Sequence, residues 1–289
     1  MKKIKIIILI LLFCTQILPA DDLEIKTLLF NDDEYSQSIN LYQIWHWGNA
    51  INKIGLGATQ TFIIENDNNR SFYGGLVEFK TKSKNTELFG QVNFLRWNKK
   101  LKIPFNISFA QMIGKFRFEE TLDYDTINSV KSYDAQLDFI AASFTLDYYI
   151  FKNLTLINSY WYRRVSDKND AYRYLGRVIL DFNKHYHLQY SYRNFRNDYK
   201  TINYFSPENF TQHILALGYY GVSKDKFKIK IWAGPIFQDD SYETSWGIIE
   251  RIYSVWTIGE KWSLEGKIEA NQIKSGYQYT QFLLSIIYR

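Results

Sequence analysis

Tyr186-His187-Leu188-Gln189-Tyr190-Ser191-Tyr192-Arg193 is the stretch that decides the fold. Tyr186, Leu188, Tyr190 and Tyr192 alternate with His187, Gln189, Ser191 and Arg193. Successive side chains of a strand point to opposite faces, so this stretch makes one greasy side and one wet side. Similar stretches recur from about Tyr42 to the C-terminus, most of them closed by a short polar turn. Strands of about ten residues, rich in aromatics and separated by turns, are the signature of a transmembrane β-barrel. The chain is therefore expected to be all-β, a transmembrane antiparallel up-and-down barrel. A soluble β-sandwich or propeller would also alternate. Against it stand the repeated aromatics on the greasy face and turns poor in glycine and proline.

Composition agrees. Phe, Trp and Tyr make up 18% of the 289 residues, which suits aromatic girdles at two membrane interfaces. Mean hydropathy is −0.31, and no run after residue 20 is long and apolar enough for a membrane helix. Met1-Lys2-Lys3-Ile4-Lys5, the apolar run Ile6 to Phe13, and Pro19-Ala20 before Asp21-Asp22 read as a secretory signal peptide over 1–20, cleaved near Ala20. That run is too short to span a bilayer. Cys14 is the sole cysteine and leaves with the signal, and bulky Phe13 before it argues against lipidation. The formal charge is +5, and removing Lys2, Lys3 and Lys5 leaves +2, which makes no case for nucleic acid.

Candidate strands fall near 39–48, 52–65, 70–83, 86–97, 101–117, 134–150, 154–165, 171–182, 186–198, 211–222, 226–237, 244–259, 262–273 and 277–288. That is about 14, with 12 to 16 compatible with the pattern. Residues 21–38 read as a periplasmic N-terminal segment or plug, and 39–289 as the barrel. Asn98-Lys99-Lys100, Lys152-Asn153, Asn183-Lys184-His185, Ser223-Lys224-Asp225 and Glu260-Lys261 form a set of tight turns. The longer connections 118–133, 166–170, 199–210 and 238–243 fall on the other parity. Short periplasmic turns and longer outer loops are what an outer-membrane barrel requires.

The wet face carries charge. Glu265, Lys267 and Glu269 alternate with Leu264, Gly266 and Ile268; Lys228 and Lys230 alternate with Ile229 and Ile231; Arg173, Arg177 and Asp181 share a parity less cleanly. A lysine or arginine facing lipid near the midplane costs about 2–4 kcal/mol, so these eight positions and Trp232 are candidate lumen residues. They fit a filter for polar solutes, or a narrow interior filled by paired charges. Trp232, on the parity of Lys228 and Lys230, is a candidate sugar-stacking ring or else a girdle residue. No cofactor or metal set is evident. The histidines His46, His185, His187 and His213 stand in no serine–base constellation, so no catalytic residue is assigned and the chain reads as a non-enzyme.

Tyr204-Phe205-Ser206-Pro207-Glu208-Asn209-Phe210, followed by the strand Thr211 to Tyr220, resembles a Ser-Pro motif in the outer-membrane barrel of bacterial cellulose and exopolysaccharide export porins. Trp256-Thr257-Ile258-Gly259-Glu260-Lys261-Trp262 and the last strand are similar too, so the resemblance covers roughly 170–289. YaiO-type barrels are a related alternative. The chain departs from the cellulose porin in carrying no tetratricopeptide array and in ending Tyr288-Arg289. The resemblance implies a bacterial outer-membrane location, contact with membrane lipid and the barrel assembly machinery, and passage of polysaccharide or another polar solute with a periplasmic secretion component as partner. The alternatives are an interaction barrel with an occluded lumen and functional loops, or an outer-membrane enzyme. Tyr204, Phe205, Pro207 and Phe210 are expected to fold over the mouth as a constriction, because Pro207 stiffens the loop and its aromatics would otherwise sit in water.

Overall fold

A computed structural model describes residues 20–32, 37–49, 51–65, 68–97, 100–127, 129–201, 203–204, 206–223, 226–240, 243–274 and 278–288. The expected signal peptide (all but Ala20) and Phe205 lie outside the described residues. The strands are β1 (Asp22–Asp32), β2 (Gln37–Gly48), β3 (Asn52–Glu65), β4 (Asn68–Lys82), β5 (Thr86–Trp97), β6 (Lys100–Lys102), β7 (Phe105–Ile113), β8 (Phe116–Thr126), β9 (Asp138–Phe151), β10 (Leu154–Val165), β11 (Asp170–Asp181), β12 (Tyr186–Asn197), β13 (Phe210–Ser223), β14 (Phe227–Asp239), β15 (Thr244–Ile258), β16 (Trp262–Ile273) and β17 (Tyr279–Tyr288). Among the described residues one short helix, α1 (Val130–Asp134), joins β8 to β9.

Each strand pairs antiparallel with its neighbours in sequence, and β1 pairs with both β2 and β17, which closes the ring. Both β6 and β7 pair with β5. They are two pieces of one stave, interrupted at Ile103-Pro104, where proline has no N–H to give the ladder. Pro104 still contributes its carbonyl, accepting from the Asn93 N–H at 2.7 Å. The barrel thus has sixteen staves.

Two departures from the sequence reading account for the change from fourteen to sixteen. Residues 21–38 are not a free lead-in. Asp22, Glu24 and Lys26 alternate with Leu23, Ile25 and Thr27, and this short stretch forms β1. The stretch 101–117 is not one strand either. It turns at Gly114-Lys115, with Gly114 at φ +59°, and the 118–133 loop begins as β8. In β8 Arg117, Glu119, Asp123 and Asp125 take the inner parity and Phe116, Phe118 and Leu122 the outer one, so its acids resemble a solvated loop. Missing that hairpin also reversed the parity of everything before it. The turn after Trp97 belongs with the long loops and not with the tight lysine-bearing turns.

The two faces differ in character, with Glu120 and Glu250 as charged exceptions on the outer parity. Large apolar side chains that stay exposed, such as Leu215, Leu217, Trp246, Ile248 and Trp256, share one parity. Gln212, Gln238, Ser245, Asn271 and Ser285 occupy the other and are buried. On the outer surface, pairs such as Trp262–Tyr288 (4.7 Å between centroids) lie near the chain termini, while Tyr162–Tyr172 (5.3 Å) lies toward the opposite rim. That is the position of two interfacial girdles. The end holding both termini has short turns; the other end carries 127–137 and 198–209.

Candidate functional site in the barrel interior

Antiparallel register places inward side chains of neighbouring strands side by side, and on β11 to β16 several of those side chains are cationic. Trp232 stands opposite Gly218 and Arg251; Arg251 stands opposite Glu269; Lys230 faces Tyr220 on one side and Tyr253 on the other, and Tyr253 faces Lys267. Arg177, Arg193, Lys230, Arg251, Lys267 and Glu269 line a cavity of about 390 Å³, together with Gln189, Trp232 and Tyr253. Arg251 Nη2 lies 3.1 Å from Glu269 Oε1, and Lys267 Nζ lies 3.6 Å from Glu269 Oε2. Tyr279 donates its hydroxyl to the same carboxylate. The floor of the site is thus a single acid held by three partners.

A second, larger cavity of about 740 Å³ continues toward the terminus end, lined among others by Asp181, His187, Lys152 and Lys184, and it shares Arg177, Lys230 and Trp232 with the first. Asp147 borders it and receives Arg117 at 3.5 Å, while Arg117 also pairs with Glu119 at 2.6 Å. On the opposite wall His46 Nε2 meets Glu78 Oε1 at 2.6 Å, and Lys53 is paired with Asp22. The lumen therefore carries both signs of charge, with the cations concentrated on one wall.

Of the residues singled out in the sequence, Arg177, Lys230, Trp232, Lys267 and Glu269 come together in one cavity, and Asp181 lies in its neighbour. Arg173 sits apart, its guanidinium 4.3 Å from the Trp161 ring and 4.7 Å from the Phe195 ring. Lys228 and Glu265 share the inner parity, each opposite Val255, but border neither cavity. Trp232 points inward, so its placement is not that of an outer girdle residue. Sequence reasoning missed Arg193 and Arg251. Arg193 ended the quoted stretch and was readable there. Arg251 was hidden because β15 is apolar on both parities, with Ile249, Tyr253 and Val255 inside and Ile248 and Ile252 outside.

The loop end of the lumen is partly filled. Ser129 caps α1 by accepting from the Ser132 N–H at 3.0 Å. Val130 packs into a cluster with Ile63, Phe72, Leu95 and Trp97, all inward residues of β3 to β5, and Tyr133 leans on the same cluster. The loop after β8 therefore crosses the mouth instead of standing above it. Arg70 anchors it from β4 with two 2.8 Å bonds to the Asp134 carboxylate, which that hydrogen bonding holds below its ordinary range. The Ser129 and Ser132 hydroxyls both donate to the Asn203 carbonyl, at 2.6 and 2.8 Å, tying α1 to the 198–209 loop.

That loop is anchored by the Ser-Pro element. Tyr204 is 3% exposed and packs with Leu137 and Val165. Its hydroxyl lies 3.2 Å from Asp167 and accepts from Asn169 at 3.0 Å, while the Arg163 guanidinium lies 5.4 Å from its ring. Burial pushes the Tyr204 phenol well above its usual range. The Pro207 carbonyl accepts from both the backbone and the side-chain amide of Asn197, and Phe210 packs edge-on against Phe195 at 5.5 Å. Among the described residues no group of three or more His, Cys, Asp or Glu side chains is placed to hold a metal.

No protein-family model and no curated protein sequence matches the chain. Solved structures do resemble it. One, a bacterial polysaccharide outer membrane secretin, superposes with a TM-score of 0.75 at 12% identity, over 93% of this chain and 97% of that one. CdiB from Acinetobacter baumannii superposes at 0.51 with 9% identity, over 94% of this chain and 60% of its own. At such identities the likeness is one of fold: this chain is a closed antiparallel barrel of the outer-membrane kind.

Proposed function

We propose that the protein is an outer-membrane passage for polar solutes, with polysaccharide as the candidate cargo. The observation that carries this is the inner face: sixteen staves enclose a wall of charged and polar side chains beside two apolar clusters, while the outward parity is mostly apolar. A ring of that size is wide enough for an aqueous channel, whereas barrels of about eight strands are filled by their own side chains. The Ser-Pro element and the fold shared with a polysaccharide secretin support polymer passage. Insertion would follow signal cleavage and use the barrel assembly machinery, and a periplasmic secretion component would deliver the polymer. Purified protein in planar bilayers should give stable conductance steps. Absence of any conductance, with the barrel folded, would exclude the reading.

The packing of α1 in the mouth favours a second reading, a barrel closed at rest whose loops carry the function. Under it the intact protein conducts only after α1 is displaced.

A further inference from the structure

The cationic wall is under-neutralised. Of the cations lining the 390 Å³ cavity, Arg251 and Lys267 both use the one carboxylate there, Glu269. Arg177, Arg193 and Lys230 form no ion pair among the described residues. Asp147, two strands from Arg177 across Ile157, acts on it electrostatically but is itself engaged by Arg117. Lys230 rests over the Tyr220 ring at 5.4 Å, which leaves its charge uncompensated. Arg177 Nε and Arg251 Nε and Nη2 are buried without hydrogen-bond partners, the last approaching Glu269 without hydrogen-bond alignment. Guanidinium donors withdrawn from water and left unpaired are costly, and like charges this close repel. Both penalties vanish when an anion enters. The fork geometry of arginine suits planar carboxylate or tetrahedral oxyanions.

The second feature is Trp232, which lines the same cavity and the next one. Its inner-face neighbours across the sheet are Arg251 and Gly218, and the His187 ring fills the space over Gly218 and meets Trp232 edge-on at 5.6 Å. A ring beside a guanidinium cluster meets the two halves of a sugar acid: the apolar face of the pyranose and the carboxylate it bears.

We propose that this cavity binds an acidic saccharide unit, its carboxylate received by Arg177, Arg193 and Arg251 and its ring laid against Trp232. The assignment deepens the passage reading and rests on it. It narrows the cargo from polar solutes in general to anionic glycans.

The test is calorimetric titration of the full folded barrel in detergent with three probes: trigalacturonate, cellotriose and inorganic phosphate. Trigalacturonate should bind about tenfold or more tighter than either of the others. Arg193→Gln, which breaks no ion pair, should weaken it about tenfold, and Arg193→Lys should restore only part of the loss. Trp232→Ala should weaken trigalacturonate and leave phosphate unchanged. Circular dichroism and heat-modified gel mobility check that each variant is folded, and Arg177→Gln gives a second arm if one is not. Equal binding of cellotriose would overturn the site. Phosphate binding as tightly as trigalacturonate, with no effect of Trp232→Ala, would reduce it to an inorganic anion site and overturn the saccharide assignment. Bilayer recordings separate the two proposals. Binding without conductance removes the passage and keeps the site; conductance without acid preference does the reverse.

Discussion

Trp97 shows how a single side chain sets the state of the mouth. It is fully buried, its ring 4.5 Å from Phe72 and 4.6 Å from Tyr133, so it links β5 to α1. Trp97→Ala removes most of that contact and should destabilise the barrel by about 3–5 kcal/mol, read by urea unfolding in lipid vesicles. Trp97→Phe keeps the ring and should cost far less. The Arg70–Asp134 pair at the same place is exposed, and its contribution is correspondingly small. Its pH dependence still has a definite sign. The Asp134 carboxyl is depressed in the folded state, so the pair's contribution is complete above the unfolded carboxylate range and is lost as pH falls through the folded value. Proteolysis at Lys131 should therefore be flat from neutral to mildly acid pH and rise only below about pH 4. Arg70→Gln should show the raised cleavage at neutral pH as well.

At the scale of the element, hairpins set the topology. The turn at Lys168 belongs to the loop end and the turn at Lys184 to the terminus end. An epitope inserted after Lys168 should be labelled on intact cells, and one after Lys184 only after permeabilisation; the reverse would invert the insertion. Replacing 129–136 with a short Gly-Ser linker removes α1 from the mouth and should raise single-channel conductance. An unchanged conductance would show that α1 does not limit flow. The strands most easily read from sequence were those with clean alternation, such as β12 and β16, where greasy and wet residues separate. β1 and β8 were missed because their inner faces carry acids, Asp22 and Glu24 in β1 and Glu119, Asp123 and Asp125 in β8, and acids so closely spaced look like solvated loop until a lumen exists to receive them. α1 was not readable at all: five residues give no periodicity, and what holds them is a cluster contributed by strands far away in sequence.

At the scale of the molecule, fold and chemistry come from different parts of the sequence. The outward parity needs only to be apolar, which is how a structure 12% identical reaches a TM-score of 0.75. The inward parity is where specificity is written, and the placement of charge there depended on register, which one slipped residue would have reversed. The ring is closed by β1 against β17, with Leu23 opposite Tyr288 and Asp32 opposite Tyr279. The two staves of this seam are the first and last that a growing chain supplies. Until both are present the assembly is a curled ribbon with two raw margins, each offering a row of unmet amides to any passing strand. Zipping that seam spans almost the whole polypeptide, so it is the slowest contact to find and the one that ends the hazard. A chain lacking residues 21–32 would keep every charge of the cationic wall, yet it would arrive at the membrane as a sheet in search of a neighbour.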